Sequence, residues 1–362
     1  MNKALVSLRD FWKLLNGFQL LLPGKLQIAL CGLLVSVASQ QPLCAATDSK
    51  VAMVSGGPHP YTASWTRAAS DAARDFKLGS AGYKMPPRLD PGEQIALLES
   101  LKRQGFNAYV LFPYDTPETL KTIADLAANG ATIVAAAGCM KDPSPAQFCL
   151  ATDSSISAYT GAKELIKAMG GKKRIAHFTG WMTDPNTQTR INEVQRAAKE
   201  GGAEVVQVIP DIDEPVVAAE KIGAYLAAHA KDIDGIITTA WVPAVETTNQ
   251  LRRLGDKRIK MVGIDHDEVV LKGIKDGFVT GSMLQNPYGQ AYIGAFALDR
   301  LRHGCKIKST APWKSNARTS RLIDSGSVYV DARRVDQYVD AMQDLTKSLV
   351  SNFESTYLAC QK

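Results

Sequence analysis

The stretch MVGIDHDE, residues 261–268, is a short apolar run that breaks off into acids. Three other segments repeat the pattern: KVAMVS at 50–55, LATD at 150–153 and VTGSMLQNPYGQ at 279–290. Each reads as a buried strand whose last residues turn small or polar, and stretches with helical spacing separate them. Strands alternating with helices predict βαβ units and parallel sheets. In such sheets ligands bind beyond the carboxyl ends of the strands, so polar residues at those ends are candidate contacts.

The alternation extends outward from these four segments. Trp65, Ala69, Ala72 and Phe76 share one face of a helix over 65–76. Further strands are expected at 108–112, 132–137, 174–179, 204–208, 235–238, 260–264 and 279–283. Helices are expected at 117–128, 160–169, 189–200, 216–229, 244–254, 269–276 and 288–303. So many units suit two doubly wound, Rossmann-like α/β lobes with parallel sheets, and 362 residues suit about two domains. In the tail, Val335, Tyr338, Val339, Met342, Leu345 and Leu349 trace an amphipathic helix, expected to pack on the C-terminal lobe.

Composition excludes several classes. The formal charge of +6 is spread along the chain rather than gathered in blocks, and no helix-turn-helix precedes the first strand, so no nucleic-acid partner is expected. There is no GxSxG, no HExxH and no CxxC, so neither an enzyme nor a metal or cofactor is expected. Gly56-Gly57 resembles a phosphate loop, but no GK[ST] comes after it. Lys25, the apolar run Leu26 to Ala38, the Gln40-Gln41-Pro42 break and Cys44-Ala45-Ala46 read as a secretory signal cleaved after Ala46, with an uncleaved anchor as the alternative. Export leaves Cys139, Cys149, Cys305 and Cys360, an even set that favours disulfides. Of three possible connectivities, local spacing favours Cys139–Cys149 around KDPSPAQF and Cys305–Cys360 at the tail.

The four segments together resemble the sugar-binding periplasmic proteins of ABC transporters, of the ribose-binding type, over roughly residues 50–312. That resemblance implies a type I periplasmic binding protein fold, its two lobes joined by a three-segment hinge. The crossings would fall near Thr152-Asp153, near Gln285-Asn286 and within Thr310 to Arg321. The lobes would then be 47–152 plus 286–312, and 153–285 plus 313–362, after a leader at 1–46.

A sugar or polyol needs planar groups with paired donors and acceptors, plus aromatic faces for its C–H side. The resemblance implies that His59, Tyr61, Arg190, Asp265 and Gln285 supply such contacts, with Tyr114 and Trp241 adding aromatic surface. The competing structural readings are an N-cap for Asp265, a surface ion pair for Arg190, a hinge-only hydrogen bond for Gln285 and a core role for Trp241. Three positions depart from the family pattern. Ala137-Gly138 stands where relatives carry Asp-Arg, Ala240-Trp241 where they carry Asn-Asp, and Tyr114-Asp115 where Asn-Pro is common. The implied function is the periplasmic solute-binding component of an importer, a monomer that delivers a sugar or polyol to inner-membrane permease subunits. The alternative is a binder of a nucleoside or signalling molecule that feeds a chemoreceptor or sensor kinase.

Overall fold

The computed structural model describes residues 47–171 and 173–360; the expected signal segment, with Cys31 and Cys44, lies outside the described residues. The chain begins with β1 (Lys50–Val54), α1 (Trp65–Asp75), β2 (Ser80–Lys84), α2 (Pro91–Arg103), β3 (Ala108–Leu111), α3 (Pro117–Ala128), β4 (Thr132–Ala136) and β5 (Cys149–Ala151). It continues through α4 (Ser154–Met169), β6 (Arg174–Phe178), α5 (Thr187–Glu200), β7 (Glu204–Ile209), α6 (Pro215–His229), β8 (Gly235–Thr238), α7 (Trp241–Leu254), β9 (Lys260–Ile264), α8 (Glu268–Lys275) and β10 (Gly281–Gln285). It ends with α9 (Pro287–Arg302), β11 (Lys306–Ile307), β12 (Leu322–Asp324), β13 (Ser327–Asp331), α10 (Tyr338–Tyr357) and β14 (Leu358–Ala359).

Two six-stranded sheets result, ordered β12-β5-β4-β3-β1-β2 and β13-β10-β9-β8-β6-β7. The first is parallel throughout, and only β13 runs antiparallel in the second. Each sheet thus repeats one doubly wound order, with a switch point between β1 and β3 in one and between β6 and β8 in the other. Ligand crevices form at such points. Both faces of the central strands are covered, which is why they read as continuous apolar runs. Val51 and Met53 pack beneath Trp65 and Ala69, while Ala52 and Val54 pack with Leu98 and Leu111 on the other face. Helix α9 lies on the first sheet so closely that a Cβ at Gly294 would stand 2.9 Å from Val110 Cγ2.

Several helices begin earlier than apolar spacing suggests. Helix α4 starts at Ser154, where Asp153 caps it by accepting the Ile156 N–H, and α7 starts at Trp241. In the first turn of α7, Trp241 lines the cleft while Val242 and Ala244 pack on the core. Edge strand β2 is only half-buried, and its SAGYK sequence lacks the apolar run that marks the inner strands.

The chain passes between the sheets between β5 and α4, between β10 and α9, and between β12 and β13. The third passage falls at Ser325-Gly326, later than the expected 310–321, because Leu322–Asp324 pairs with β5 before the chain leaves the first sheet. The tail also departs from expectation. Tyr338 and Met342 pack on the second lobe's core, but Leu349, Val350 and Phe353 pack on the first. The tail therefore spans both lobes. Strand β14 then pairs with β11, and the Cys305–Cys360 disulfide joins the two ends; Cys139–Cys149 closes the KDPSPAQF loop.

Candidate functional site

The carboxyl ends of both sheets face one another across a cavity of about 840 Å³, counting its open mouth. His59, Tyr61, Tyr114, Arg190, Trp241, Asp265 and Gln285 all line it. The first three come after β1 and β3; Arg190, Trp241 and Asp265 come after β6, β8 and β9, and Gln285 ends β10.

Asp265 directly succeeds β9 in the left-handed region, at φ +67°, a conformation that Asp and Asn tolerate better than most residues. Its Oδ1 accepts from Gln285 Nε2 at 2.7 Å. Burial pushes its pKa up to about 6, although the Gln285 hydrogen bond and the nearby Arg190 and His59 pull the other way. It does not cap the next helix: Asp267 does, accepting the Val269 N–H at 2.8 Å. Its neighbour His266 packs edge-on against Trp241 and tilted against Tyr338.

Arg190 is 8% exposed and donates from Nη1 to Thr239 O at 3.0 Å, with Asp184 Oδ2 3.6 Å away. Thr239 is itself held by Thr179 Oγ1 and His177 Nε2, at 2.7 and 2.8 Å. Burial lowers the His177 pKa to about 3, so its ring is neutral and serves this support. Arg190 is therefore no surface ion pair.

His59 caps a one-turn helix at Pro60–Thr62, its Nδ1 accepting the Tyr61 N–H at 3.2 Å. Its Nε2 then faces Asp213 Oδ2 across the cleft at 3.5 Å. Burial opposes charge on this ring, but the contact and charge of Asp213 outweigh it and raise the pKa. The Tyr61 hydroxyl donates to Gln290 Oε1 at 3.0 Å, and burial keeps that phenol protonated. The ring of Tyr114 lies on Gly56, where an added Cβ would meet Cε2 at 2.8 Å; a Cβ at Gly57 would meet Arg88 O at 2.7 Å. The two glycines thus permit close packing rather than cradle a phosphate. Trp241 donates from Nε1 to Asp267 at 3.0 Å while its ring lines the cavity.

Sequence reasoning missed Trp181, Asp184, Asn186 and Asp213, all of which line the cavity. The signal was available, since they succeed β6 and β7 as the others succeed their strands. Asn186 also reaches across the cleft, donating to Ala137 O at 3.2 Å. Among the described residues no group of three His, Cys, Asp or Glu is arranged to hold a metal ion.

The sequence profile of the periplasmic binding protein domain matches residues 51–305. The chain belongs to the periplasmic binding protein family. Its fold is the type I form, two parallel-dominated α/β lobes around a central cleft. Among its relatives is a xylitol-binding protein of Mycolicibacterium smegmatis, 23% identical over 283 residues, spanning 74% of this chain and 76% of that one. Among solved structures, an ABC-transporter solute-binding protein from Burkholderia graminis, in complex with D-arabinose, superposes with a TM-score of 0.70 at 19% identity, covering 81% of this chain and 98% of that one. GanP, a glucose-galactose binding protein from Geobacillus stearothermophilus, gives 0.68 at 15% identity, covering 79% and 98%. These relatives of the periplasmic binding protein are solute-binding proteins, not enzymes.

Proposed function

We propose that this periplasmic binding protein captures a sugar or polyol between its lobes outside the cytoplasm. The lobes close on it and present it, unchanged, to the permease subunits of an ABC importer, after the signal segment has been cleaved at Ala46. One observation carries this reading. Hydrogen-bonding groups from seven strand ends, including Arg190, Asp265 and Gln285, share a single cavity with the rings of Tyr114 and Trp241. Planar polar groups plus aromatic faces are what a hydroxylated ring or chain requires. Closure results because a ligand touching both lobes stabilises the state in which both sets of contacts are made. The xylitol-binding relative makes pentitols the first compounds to test.

The test is a thermal-shift screen of pentitols, hexitols, pentoses, hexoses and nucleosides on the mature chain. A compound at a hundred times its Kd adds about 2.7 kcal/mol of stability, enough to raise the melting point by several degrees. No shift with any hydroxylated compound, or conversion of one into product, ends the proposal.

A further inference from the structure

Three carboxylates line the cavity, and two of them pair with a basic side chain. Asp213 stands opposite His59 at 3.5 Å and Asp184 opposite Arg190 at 3.6 Å. Asp265, only 3% exposed, makes no ion pair among the described residues: its side-chain hydrogen bond comes from the neutral amide of Gln285, and Arg190 and His59 act on it only from beyond ion-pair distance. A buried carboxylate with no cation in contact is costly, and the cost is relieved by a positive charge that can reach it directly.

The donors around the cavity are mostly committed inward. Gln285 Nε2 is spent on Asp265, Tyr61 OH on Gln290, Trp241 Nε1 on Asp267, and Tyr114 OH on Gly56 O. These groups still offer a ligand acceptor oxygen and aromatic face, both of which suit a cation. Among the described residues, Arg190 supplies the cavity's one guanidinium for accept-only groups, and Asp184 already sits beside it.

We infer that the favoured ligand is an amine-bearing polyol or sugar, whose protonated nitrogen supplies the charge that Asp265 lacks. This rests on the polyol-capturing role proposed above and names its chemical class. The cavity ranks ligands of equal length as amine over hydroxyl over carboxylate.

The experiment is calorimetric titration at neutral pH with five- and six-carbon alditols, their 1-amino-1-deoxy analogues and the matching aldonates. The amine is expected to bind at least about tenfold more tightly than its alditol, because its positive charge adds Coulombic attraction to the charge-assisted hydrogen bond that either group makes with the Asp265 carboxylate. The aldonate should show no heat of binding. In Asp265→Asn the amine-to-alditol affinity ratio should fall towards one, a readout that a general loss of structure would not move. An amine that binds no better than its alditol, or a ratio unchanged in Asp265→Asn, overturns the inference and leaves polyol capture standing. Failure of every compound here and in the sugar screen overturns both.

Discussion

The Asp265 carboxylate is held in a protein environment that disfavours its charge. Its folded pKa of about 6 lies above the ordinary carboxylate value, so between those limits the folded state holds the proton more tightly than the unfolded chain. Ionised Asp265 therefore lowers stability above about pH 6 by roughly 3 kcal/mol at most, and the penalty disappears as the pH falls and the group is protonated. The groups that face it are Arg190, His59, Asp213 and Gln285. Asn tolerates the same left-handed backbone, so Asp265→Asn removes the charge without adding strain. Ligand-free Asp265→Asn should melt higher than the parent at pH above the transition, with the gap closing below it. Its affinity for a hydroxylated ligand should drop by about tenfold or more, since hydrogen bonds to charged groups contribute about 1.5–3 kcal/mol. A melting difference that ignores pH would remove the charge argument.

Where α9 meets the hinge, one residue connects the cavity to the interlobe passages. Fully buried Gln290 accepts from Tyr61 OH at 3.0 Å and donates to Ser325 Oγ at 3.0 Å, with Thr152 Oγ1 at 3.5 Å. Ser325 belongs to the third passage and Thr152 to the first, while Gln290 lies in the turn of α9 just after the second. Asn286 adds to the same knot by donating to Thr346 of the tail helix at 2.9 Å. Replacing Gln290 by Leu preserves volume but leaves the Tyr61 and Ser325 hydroxyls without their partner, at a cost of about 1–3 kcal/mol each. Gln290→Leu should therefore lose stability and also bind more weakly, by about tenfold on the 1.4 kcal/mol scale, because Tyr61 loses its anchor. If unfolding titrations show the stability loss while calorimetry shows unchanged affinity, Gln290 supports the hinge but not the site.

Across the whole molecule, the tail is a strap. Helix α10 crosses from the second lobe's core at Tyr338 to the first lobe's core at Phe353, and Cys360 is bonded back to Cys305. Closing a separation of 55 residues restricts the unfolded chain by about 4 kcal/mol in the loop-entropy account. The Cys305→Ser, Cys360→Ser double variant should lose a large part of that in equilibrium unfolding. The shorter ten-residue closure at Cys139–Cys149 predicts a smaller loss, about 3 kcal/mol. Equal losses from the two pairs would contradict this ordering.

The chemistry at the strand ends was legible in the sequence because it is local. An apolar run such as MVGI that stops at Asp265 announces both a buried strand and the polar residue at its carboxyl end, whereas Tyr61, Arg190 and Gln285, which also line the cavity, were implied by the resemblance to sugar-binding proteins. The doubly wound lobes were legible for the same reason, since βαβ alternation is periodic along the chain. Tertiary structure alone decided which groups face one another across the cleft. No spacing rule brings Asp213 to His59, or leaves Asp265 with a neutral amide, because those pairings join residues far apart in sequence. It also decided the third passage and the strap, where a three-residue strand and a helix with two partners take their places from the surfaces they bury.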